Sequence, residues 1–496
     1  MRATLQQCRQ WVDGSQIANA NADAAADIPF DGVGTDSRTA AAGSLFVALK
    51  GEKFDAHKFL IDVARRGVAA VVVDAATDPA LLAGVGVPML TVPDTRAALG
   101  QIAAGWRRSF SLPVIGVTGS NGKTTVKEMI AAILAEGVGA EHSMATRGNF
   151  NNDIGVPLTL MRLTAGMRAA VVELGMNHPG EIAVLTAMAQ PTVGLVNNAQ
   201  REHQEFMASV GAVAEENGAV IAGLPADGVA VFPADEPYAE LWRGMAQAGG
   251  KRRCLSFGLT PQANVRCSWV PNAFGSDLVV TADITSLGTI DMAAPGSHAV
   301  SPGVHTFAVR LAAAGEHNVR NALAAIACTL AIGIPVDAIA RGLENFSPVS
   351  GRLQRKQAAT GALVIDDTYN ANPDSVRAAI DVLAQCPAPR VLVLGDMGEV
   401  GDEGAAFHAE VGAHARARGI TQVFTLGALA ASTATAFGHG ARHFDDIAPL
   451  LAAVDALAAP EASLLIKGSR FMKMERVVNH LVTGGNAASQ QVQDSH

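Results

Sequence analysis

The residues with the clearest capacity for chemistry lie in the segment Gly116–Thr125, which reads GVTGSNGKTT. The segment stands between an apolar run typical of a strand and a stretch with the periodicity of a helix. Glycines allow the main chain to approach a ligand closely, and the first N–H groups of a helix bind phosphate oxygens. Lys123 can reach terminal phosphates, and the Thr124 hydroxyl can join a magnesium shell. The segment therefore predicts a nucleoside triphosphate site.

One position departs from the strict phosphate-loop pattern, which has a glycine five residues before Gly122. Val117 stands there in this chain. The alternative interpretation is an ordinary glycine-rich turn between a strand and a helix. We favour the phosphate site because Gly-Lys-Thr-Thr stands in the strand–turn–helix context that phosphate binding uses.

Two further residues are candidates for a metal site. Glu173, in VVELGMNHPGEI, ends a predicted buried strand, where a carboxylate needs a partner. Magnesium would be such a partner because it prefers carboxylate and phosphate oxygens; an ion pair is the alternative. His203, in NNAQREHQEF, offers a second metal contact, although a lone histidine is more often an ordinary surface or core residue.

Polar clusters also follow other apolar runs. In AGEHNVRNALAA, the residues His317, Asn318 and Asn321 share one side of a predicted helix start, where they either cap the helix or bind an adenine edge. The segments IDDTYNANPDSV, LVLGDMGEVG and LLIKGSRFMKME also end apolar runs with polar residues, which turns favour in any case. Together they predict polar groups at the carboxyl ends of parallel strands, where open α/β sheets bind ligands.

The elements that must position these residues are those of an α/β protein. Short apolar runs alternate with helical patterns along most of the chain, which is typical of parallel sheets, whereas Lys251–Arg310 predicts an antiparallel addition. A chain of 496 residues suggests about three domains. We predict a small N-terminal α/β domain over residues 1–112, a central P-loop-type parallel sheet over 113–347, a C-terminal Rossmann-like α/β domain over 348–483 and a disordered tail over 484–496.

Composition excludes several classes of protein. Hydrophobic residues make up 49% of the chain, which is enough for several cores and excludes general disorder. The formal net charge of -9 argues against a broad nucleic-acid-binding surface. The apolar stretch Asn321–Val336 is too short to span a membrane and predicts a buried helix. Five scattered cysteines and an N-terminus without a signal-peptide core indicate a soluble protein of a reducing cytoplasm.

Several motifs, in their order along the chain, resemble those of the Mur ligases of peptidoglycan synthesis. They are GVTGSNGKTT, the glutamate of VVELGMNHPGEI, the histidine after NNAQRE, GEHNVRNALAA, GRLQ, DDTYNANPDS and LIKGSR. The resemblance extends from about residue 30 to about residue 480. It implies a three-domain enzyme in which the first domain holds the UDP end of the substrate, the central domain holds MgATP, and the third domain closes over both.

The same resemblance implies roles for individual residues. The ATP phosphates would be cradled by Thr118, Gly119, Ser120, Asn121, Gly122, Lys123 and Thr124. The catalytic group would be Lys123, Glu173 and His203, and the Mg²⁺ ligands would be Thr124, Glu173 and His203. Adenine would contact His317 and Asn318, and the phosphates would also contact Arg352. Asp367 would either contact the ribose or lie at the domain hinge. The nucleotide-sugar peptide would lie along Ser37, Arg38, Thr146, Asn149, Asn151 and Asn152.

Three stretches narrow the resemblance within the family: TDSRTAAAGSLFVALKGEKFDAHKF, TRGNFNNDIGVPLTL and LGDMGEVG. They are similar to the ligase that joins D-alanyl-D-alanine to UDP-N-acetylmuramoyl-tripeptide through an acyl phosphate, with ATP and Mg²⁺. The Asp-Asn-Pro-Arg motif of ligases that add meso-diaminopimelate is absent. The resemblance implies a monomeric, cytoplasmic enzyme of cell-wall synthesis, cell shape and cell division, without nucleic-acid or membrane partners. The third residue of the accepted peptide, diaminopimelate or lysine, stays open.

One departure from the family pattern concerns a lysine that many Mur ligases carbamylate to help hold a second magnesium ion. Aligned on the downstream residues 221–224, the segment AEENGAVIAGL places Asn217 at that position. Asparagine has no amine that could form a carbamate. Glu215 or Glu216 could restore the negative charge, since a carboxylate is a normal magnesium ligand. The alternative is that both glutamates face solvent.

Three other functions compete with ligation. A folylpolyglutamate synthase shares the ATP chemistry, but the DSR…GSLFVALKG segment argues against it because that enzyme lacks a UDP-binding front domain. A nucleotide-dependent switch would release phosphate at full rate without a peptide substrate, whereas a ligase needs both the carboxylate and the amine. An inactive paralogue is disfavoured by the intact Gly-Lys-Thr sequence, Glu173 and His203.

Overall fold

A computed structural model describes residues 1–19, 28–202, 205–250, 252–288 and 300–485. Within these ranges the strands form four sheets, and the predicted α/β class is confirmed. His203 and residues 486–496 of the predicted tail lie outside the described residues. None of the helices in the described ranges is long and apolar enough to cross a membrane.

The N-terminal part of the chain forms two small sheets. Their strands are β1 (Arg2–Thr4), β2 (Gln16–Ala18), β3 (Pro29–Asp31), β4 (Val33–Gly34), β5 (Leu45–Val47), β6 (Ala70–Asp74) and β7 (Met89–Val92). The helices are α1 (Leu5–Trp11), α2 (Leu60–Arg65), α3 (Pro79–Leu82) and α4 (Thr95–Arg107). Strands β4 to β7 pair in parallel, β2 joins β7 antiparallel, and β1 pairs with β3. Asp94 caps α4 by accepting the N–H groups of Arg96 and Ala97.

The middle of the chain forms a nine-stranded sheet within the described residues. Its strands are β8 (Val114–Thr118), β9 (Ser143–Ala145), β10 (Ala169–Glu173), β11 (Val193–Val196), β12 (Val229–Pro233), β13 (Arg253–Phe257), β14 (Val265–Asn272), β15 (Gly275–Asp283) and β16 (Val304–Leu311). Its helices are α5 (Lys123–Val138), α6 (Gly155–Leu160), α7 (Glu181–Ala189), α8 (Val210–Ala222), α9 (Ala239–Ala248), α10 (Glu316–Leu330) and α11 (Val336–Glu344). The strand order is β16-β15-β14-β13-β12-β11-β8-β10-β9.

Two sequence-based expectations for this sheet need correction. Strands β14, β15 and β16 are the predicted antiparallel addition, but β13, in the same segment, pairs in parallel with β12 and continues the main sheet. The apolar stretch Asn321–Val336 is not one helix, because α10 ends at Leu330 and a turn precedes α11. Gly333, with φ +83, breaks the helix there, since glycine tolerates a left-handed backbone.

The C-terminal part forms a third α/β layer. Its strands are β17 (Gln354–Gln357), β18 (Leu363–Asp367), β19 (Arg390–Gly395), β20 (Gln422–Leu426), β21 (Ala441–Phe444) and β22 (Ser463–Lys467). Its helices are α12 (Pro373–Leu383), α13 (Gly404–Ala417), α14 (Ala431–Phe437), α15 (Ile447–Asp455) and α16 (Glu475–Thr483). The order is β17-β18-β22-β19-β20-β21, with only β17 antiparallel among these described strands.

Strand β8 is buried on both faces, which explains its continuous apolar run. Ile115 and Val117 pack into one core with residues of α5 and α10. Val114 packs on the opposite face, in a core that also contains Ile102 of α4 and Val47 of the N-terminal sheet. The N-terminal part is therefore fixed to the central sheet by shared hydrophobic packing, and the carboxyl end of β8 is held between the two cores.

Candidate functional site

A cavity of about 1380 Å³ opens at the carboxyl ends of the central strands. Its walls are the loops that follow β8, β10, β11 and β12, together with the start of α10. The loops that follow β18 and β19 of the C-terminal sheet close the other side. The polar segments predicted at strand ends therefore face one shared space, as expected for an open α/β sheet.

The loop between β8 and α5 is built for close approach of the main chain. Gly122 precedes α5 with φ +81, and Gly119 has φ +132. A Cβ at Gly119 would lie 3.0 Å from the backbone nitrogens of Asn197 and Asn198, and one at Gly122 would lie 2.5 Å from Asn321 Oδ1. No side chain within the described ranges caps the N-terminus of α5, so its first N–H groups remain for an anion.

The side chain of Lys123 folds back over this loop. Its ammonium group donates hydrogen bonds to the main-chain oxygens of Gly119 and Ser120, the latter at 3.1 Å. It also forms an ion pair with Glu202, with 3.3 Å between Nζ and Oε2. The positive charge is thus held at the rim of the loop, where phosphate oxygens would lie.

The carboxylate of Glu173 lies beside the first turn of α5 and is almost completely buried. The Thr124 hydroxyl donates to Glu173 Oε1 at 3.0 Å, and Asn151 Nδ2 donates to the same oxygen at 2.9 Å. Behind it, the Glu173 main-chain N–H donates to the Thr146 hydroxyl at 3.0 Å. Three residues of the predicted site therefore orient this glutamate.

The surroundings of the second carboxylate oxygen of Glu173 indicate whether the site suits a magnesium ion. Glu173 Oε2 is buried and has no hydrogen-bond partner among the described residues. A buried carboxylate oxygen in that state is costly unless a cation lies against it. The described ranges contain no group of three or more His, Cys, Asp or Glu side chains that could hold a metal by themselves. Magnesium fits such a site, because it is commonly held by one or two protein oxygens together with phosphate and water oxygens.

Asn318 belongs to a chain of amides at the start of α10. Its Nδ2 donates to Ala314 O at 2.8 Å, and its Oδ1 accepts from Asn321 at 3.1 Å. Asn321 Oδ1 in turn accepts from Asn197 Nδ2 at 2.9 Å. Asn318 therefore stabilises the helix start, the structural role considered beside adenine binding, while it also lines the cavity.

His317 lines the same wall, and its imidazole has a lowered pKa. Burial lowers the pKa of its imidazole from 6.5 to about 4, more than the nearby Asp367 carboxylate raises it. The ring is therefore neutral at physiological pH and offers one donor and one acceptor.

Arg352 and Asp367 reach the cavity from the C-terminal part of the chain. The Arg352 guanidinium stacks on the ring of Tyr369, 4.2 Å from its centroid. Asp367 accepts the Leu353 main-chain N–H at 3.1 Å through one oxygen and the ammonium of buried Lys467 through the other. Because both oxygens of Asp367 are engaged, the hinge role is favoured over ribose binding.

The residues predicted to lie along the nucleotide-sugar peptide fall into two groups. Three line the cavity: Asn149, Asn151 and Asn152. Thr146 lies behind Glu173 instead. Ser37 and Arg38 are not among the lining residues, and the highly exposed Arg38 forms an ion pair of 2.8 Å with Asp36. The predicted substrate residues are thus not all brought together.

The position of the family's modified lysine is fully buried. Asn217 accepts a hydrogen bond of 2.5 Å from the Thr118 hydroxyl and so holds the strand end from which the phosphate loop starts. Glu216 does not replace the missing charge, because its carboxylate accepts the main-chain N–H groups of Gly180 at 2.7 Å and Ile182 at 2.8 Å. It caps α7.

Sequence reasoning missed several residues that line the cavity. Glu202, the partner of Lys123, stands next to His203 in a motif already singled out, and that position was the available signal. Glu236 follows β12, and burial raises the pKa of its carboxyl group to about 7 although the Ala199 N–H donates to it. Arg96 of α4 also lines the cavity. Arg96 is a single arginine on an exposed helix turn, and nothing near it in the sequence indicates a functional role.

Three family models match the chain. "Mur ligase family, catalytic domain" matches residues 29–107, "Mur ligase middle domain" matches 117–329, and "Mur ligase, glutamate ligase domain" matches 351–470.

Curated relatives match over nearly the whole chain. A protein of Escherichia coli strain K12 named UDP-N-acetylmuramoyl-tripeptide–D-alanyl-D-alanine ligase is 41% identical over 463 residues, covering 93% of this chain and 95% of the relative. A protein of the same name from Haemophilus influenzae is 37% identical, covering 94% and 97%.

Solved structures agree with these relatives. MurF from Acinetobacter baumannii superposes with a TM-score of 0.84 at 33% identity, covering 97% of this chain and 99% of that one. A folylpolyglutamate synthase of Mycobacterium tuberculosis, with a TM-score of 0.59 and 17% identity over 78% of this chain and 94% of that one, shows likeness of fold alone.

Proposed function

The chain belongs to the Mur ligase family, and we infer that it is the member that joins D-alanyl-D-alanine to UDP-N-acetylmuramoyl-tripeptide at the expense of ATP. It is an ADP-forming amide ligase of peptidoglycan synthesis. One observation carries the assignment to this cavity. Arg96, Lys123 and Arg352, one from each of the three matched regions, line the same space. A ligase must bring three reactants together in this way.

The reaction has to convert a poor acyl donor into a good one. A carboxylate would have to expel oxide, which does not leave. Attack of a tripeptide carboxylate oxygen on the γ-phosphorus of ATP forms an acyl phosphate and releases ADP. The dipeptide amine then attacks the carbonyl carbon, loses a proton and displaces inorganic phosphate. The protein mainly has to position the groups and neutralise their charge.

The residues of the phosphate loop supply that neutralisation. We propose that the N–H groups at the start of α5 bind the β- and γ-phosphates and that the Lys123 ammonium exchanges its main-chain partners for phosphate oxygens. Thr124 and Glu173 would hold a magnesium ion, with His203 as a further ligand, and the ion would offset phosphate charge. The support for this assignment is the buried Glu173 Oε2, which has no hydrogen-bond partner in the part of the chain that the structure describes.

The amide side chains near Glu173 suit the peptide substrate. Asn149, Asn151 and Asn152 line the cavity next to the proposed metal ligand. Asn152 accepts the Gly155 N–H at 2.8 Å, which fixes the loop that carries all three. We propose that this loop guides the tripeptide carboxylate towards the γ-phosphate, while Ser37 and Arg38 bind the nucleotide end. His317 and Asn318 would contact adenine, Arg352 the phosphates, and Asp367 the hinge.

A coupled phosphate-release assay tests this function. We expect phosphate release only when ATP, Mg²⁺, a UDP-muramoyl tripeptide and D-alanyl-D-alanine are all present. Tripeptides with diaminopimelate and with lysine, assayed separately, identify the accepted third residue. Glu173→Gln should abolish release, whereas the exposed Glu215→Gln should not. Full-rate release without peptide would instead support a nucleotide-dependent switch, and glutamate addition to a folate would support the folylpolyglutamate synthase alternative.

We also propose domain limits of 1–112, 113–347 and 348–483, which agree with the gaps between the matched regions. A monomer in the cytoplasm is part of the same proposal. All five cysteines are present as free thiols, which suits a reducing compartment.

A further inference from the structure

A cluster of ion pairs joins the loop after β11 to two helices of the C-terminal sheet. Arg201 donates through Nη2 to Asp374 Oδ1 at 2.6 Å and through Nε to Asp374 Oδ2 at 3.1 Å. The same guanidinium reaches Glu410 through Nη1 at 2.7 Å and Nη2 at 3.0 Å. Asp374 lies in the first turn of α12, and Glu410 lies in α13. We call Arg201, Asp374 and Glu410 the Arg201 clamp.

A second contact reaches the same end of α12. Asn372 caps this helix by accepting the Ser375 N–H at 2.8 Å. Its Nδ2 donates to Asn121 Oδ1 of the phosphate loop at 2.9 Å. One helix end is therefore held by both loops that carry the proposed ATP site.

These two loops are also tied to each other on either side of Arg201. Gln200 donates its main-chain N–H to the Ser120 hydroxyl at 2.9 Å and accepts from Asn121 Nδ2 at 2.6 Å. Glu202 pairs with Lys123 at 3.3 Å. Arg201 thus stands between two residues that contact the phosphate loop, and its own side chain points to the C-terminal part of the chain.

The geometry of the clamp distinguishes it from ordinary surface ion pairs. The side chains of Arg201 and Asp374 are 22% and 21% exposed, and Phe407 packs against the guanidinium with 5.2 Å to the ring centroid. Hydrogen bonds to Arg201 lower the pKa of the Glu410 carboxyl group. Planar, bidentate and partly desolvated arginine–carboxylate pairs are stronger and more directional than exposed pairs of single charges.

We propose that Arg201 is a positioning residue that clamps α12 against the phosphate loop and so closes the C-terminal part over the acyl phosphate. Its function is to exclude water while the amine attacks, because water would hydrolyse this intermediate to the free carboxylate and phosphate. Without the clamp, more ATP should be consumed than amide bonds are formed. This consequence rests on the proposed ligase function, whereas the closure itself does not.

The test compares Arg201→Gln and Asp374→Asn with a matched control, Arg377→Gln. Arg377 donates to the same Glu410 at 3.0 Å, but both residues lie in helices of the C-terminal sheet, so the control removes an ion pair without crossing to the central loop. With all substrates present, we expect both clamp variants to release on the order of tenfold more phosphate per amide bond formed. Arg201→Lys keeps the charge but loses the planar, bidentate guanidinium. Its phosphate release per amide bond should lie between that of the clamp variants and that of the wild type.

A second measurement follows closure directly. Small-angle scattering of the full chain with a non-hydrolysable ATP analogue and Mg²⁺ should show a larger radius of gyration for both clamp variants than for the wild type and Arg377→Gln. Unchanged coupling and unchanged scattering in the clamp variants would overturn the proposal. If wild-type protein formed no amide, the ligase assignment would fail, and scattering alone would still decide the clamp. If Arg201→Gln did not fold, as judged by circular dichroism, Asp374→Asn would decide.

Discussion

The charged side chains of the cavity are held in place by their neighbours before any ligand binds. Lys123 contacts two main-chain oxygens and Glu202, while Thr124 and Asn151 hold Glu173. Apart from the Lys123 ammonium, which would exchange its main-chain partners for phosphate oxygens, these groups need no reorganisation when substrate charge develops, and this is how such sites stabilise a transition state. Substitutions of these residues should therefore change reaction rates more than stability.

Lys123→Met keeps the length of the side chain and removes its charge. We expect kcat for ligation to fall by about 10²–10³, because a positioned charge of this kind contributes on that order to transition-state stabilisation. The midpoint of thermal unfolding, measured in parallel, should remain close to that of the wild type. Near-normal turnover would contradict the phosphate-loop assignment.

Arg38→Ala tests the separation of substrate binding between the N-terminal and central regions. Arg38 lowers the pKa of its partner Asp36 to about 2. The ion pair is exposed, so Arg38 can exchange Asp36 for the pyrophosphate of the substrate. We expect KM for the UDP substrate to rise about tenfold, because the planar guanidinium fork can pair with two phosphate oxygens at once. KM for ATP should not change. Arg65→Ala, which removes another exposed arginine of the N-terminal region, is the control, and equal effects on both substrates would refute the prediction.

His317 makes stability depend on pH. Its folded-state pKa of about 4 lies below the ordinary 6.5, so the unfolded chain takes up a proton that the folded chain does not as the pH falls through 6.5. The contribution of His317 to the free energy of unfolding is therefore fully present above pH 6.5. It is lost as the pH falls towards 4, and the loss amounts to at most about 3 kcal/mol.

His317→Gln should flatten the pH dependence of the free energy of unfolding between pH 7 and pH 4.5. Urea titrations at several pH values measure it. The exposed His439→Gln is the control and should follow the wild-type curve. An unchanged slope in His317→Gln would show that this ring is not the group responsible.

At the scale of elements, the site is built largely from helix N-termini. The first residues of α5, α7, α10 and α12 or those just before them line the cavity. The N-terminus of a helix carries a partial positive charge and unpaired N–H groups. A site that must hold several phosphate and carboxylate groups gains attraction from each of these ends, although the whole chain has a net charge of -9.

Helix α7 shows how one such end is stabilised by another helix. Glu216 of α8 caps α7 through two main-chain N–H groups. Glu216→Ala should lower the free energy of unfolding by about 1 kcal/mol, a typical value for loss of a helix cap. Glu216→Gln should retain most ligase activity because an amide oxygen can still accept one N–H. Glu215→Gln, on the exposed neighbour, is the control; loss of activity with intact ATP binding in Glu216→Gln would instead indicate a metal ligand.

At the scale of the whole molecule, nucleotide binding should connect the central and C-terminal parts. A ligand at about 100 times its Kd stabilises the folded state by about 2.7 kcal/mol. We therefore expect a non-hydrolysable ATP analogue with Mg²⁺ to raise the thermal unfolding midpoint, and EDTA to reverse most of the shift. In Glu173→Gln the analogue should stabilise equally with and without EDTA. A full magnesium-dependent shift in that variant would exclude Glu173 as the metal ligand.

Much of the local structure could be predicted from the sequence alone. The strand, the glycine-rich loop and the helix around Gly116–Thr125 were predicted in their observed order because an apolar run, turn glycines and helical periodicity are all encoded within some twenty neighbouring positions. The antiparallel addition predicted over Lys251–Arg310 is present as β14 to β16, although β13 of the same segment pairs in parallel with the main sheet. The proposed metal ligands Thr124 and Glu173 were found through motifs, and the tertiary structure then placed them 3.0 Å apart.

The tertiary structure decided which side chains share a space and which partners occupy them. Glu216 has the residue type of a metal ligand, yet it accepts the main-chain N–H of Gly180, which lies 36 residues earlier in the chain, and therefore caps a helix. Arg201 and Asp374 are 173 residues apart, and nothing near either of them in the sequence predicts their contact. Residue type and local spacing are set by short stretches of chain, whereas such contacts depend on how separate sheets pack, so only the folded molecule could reveal them.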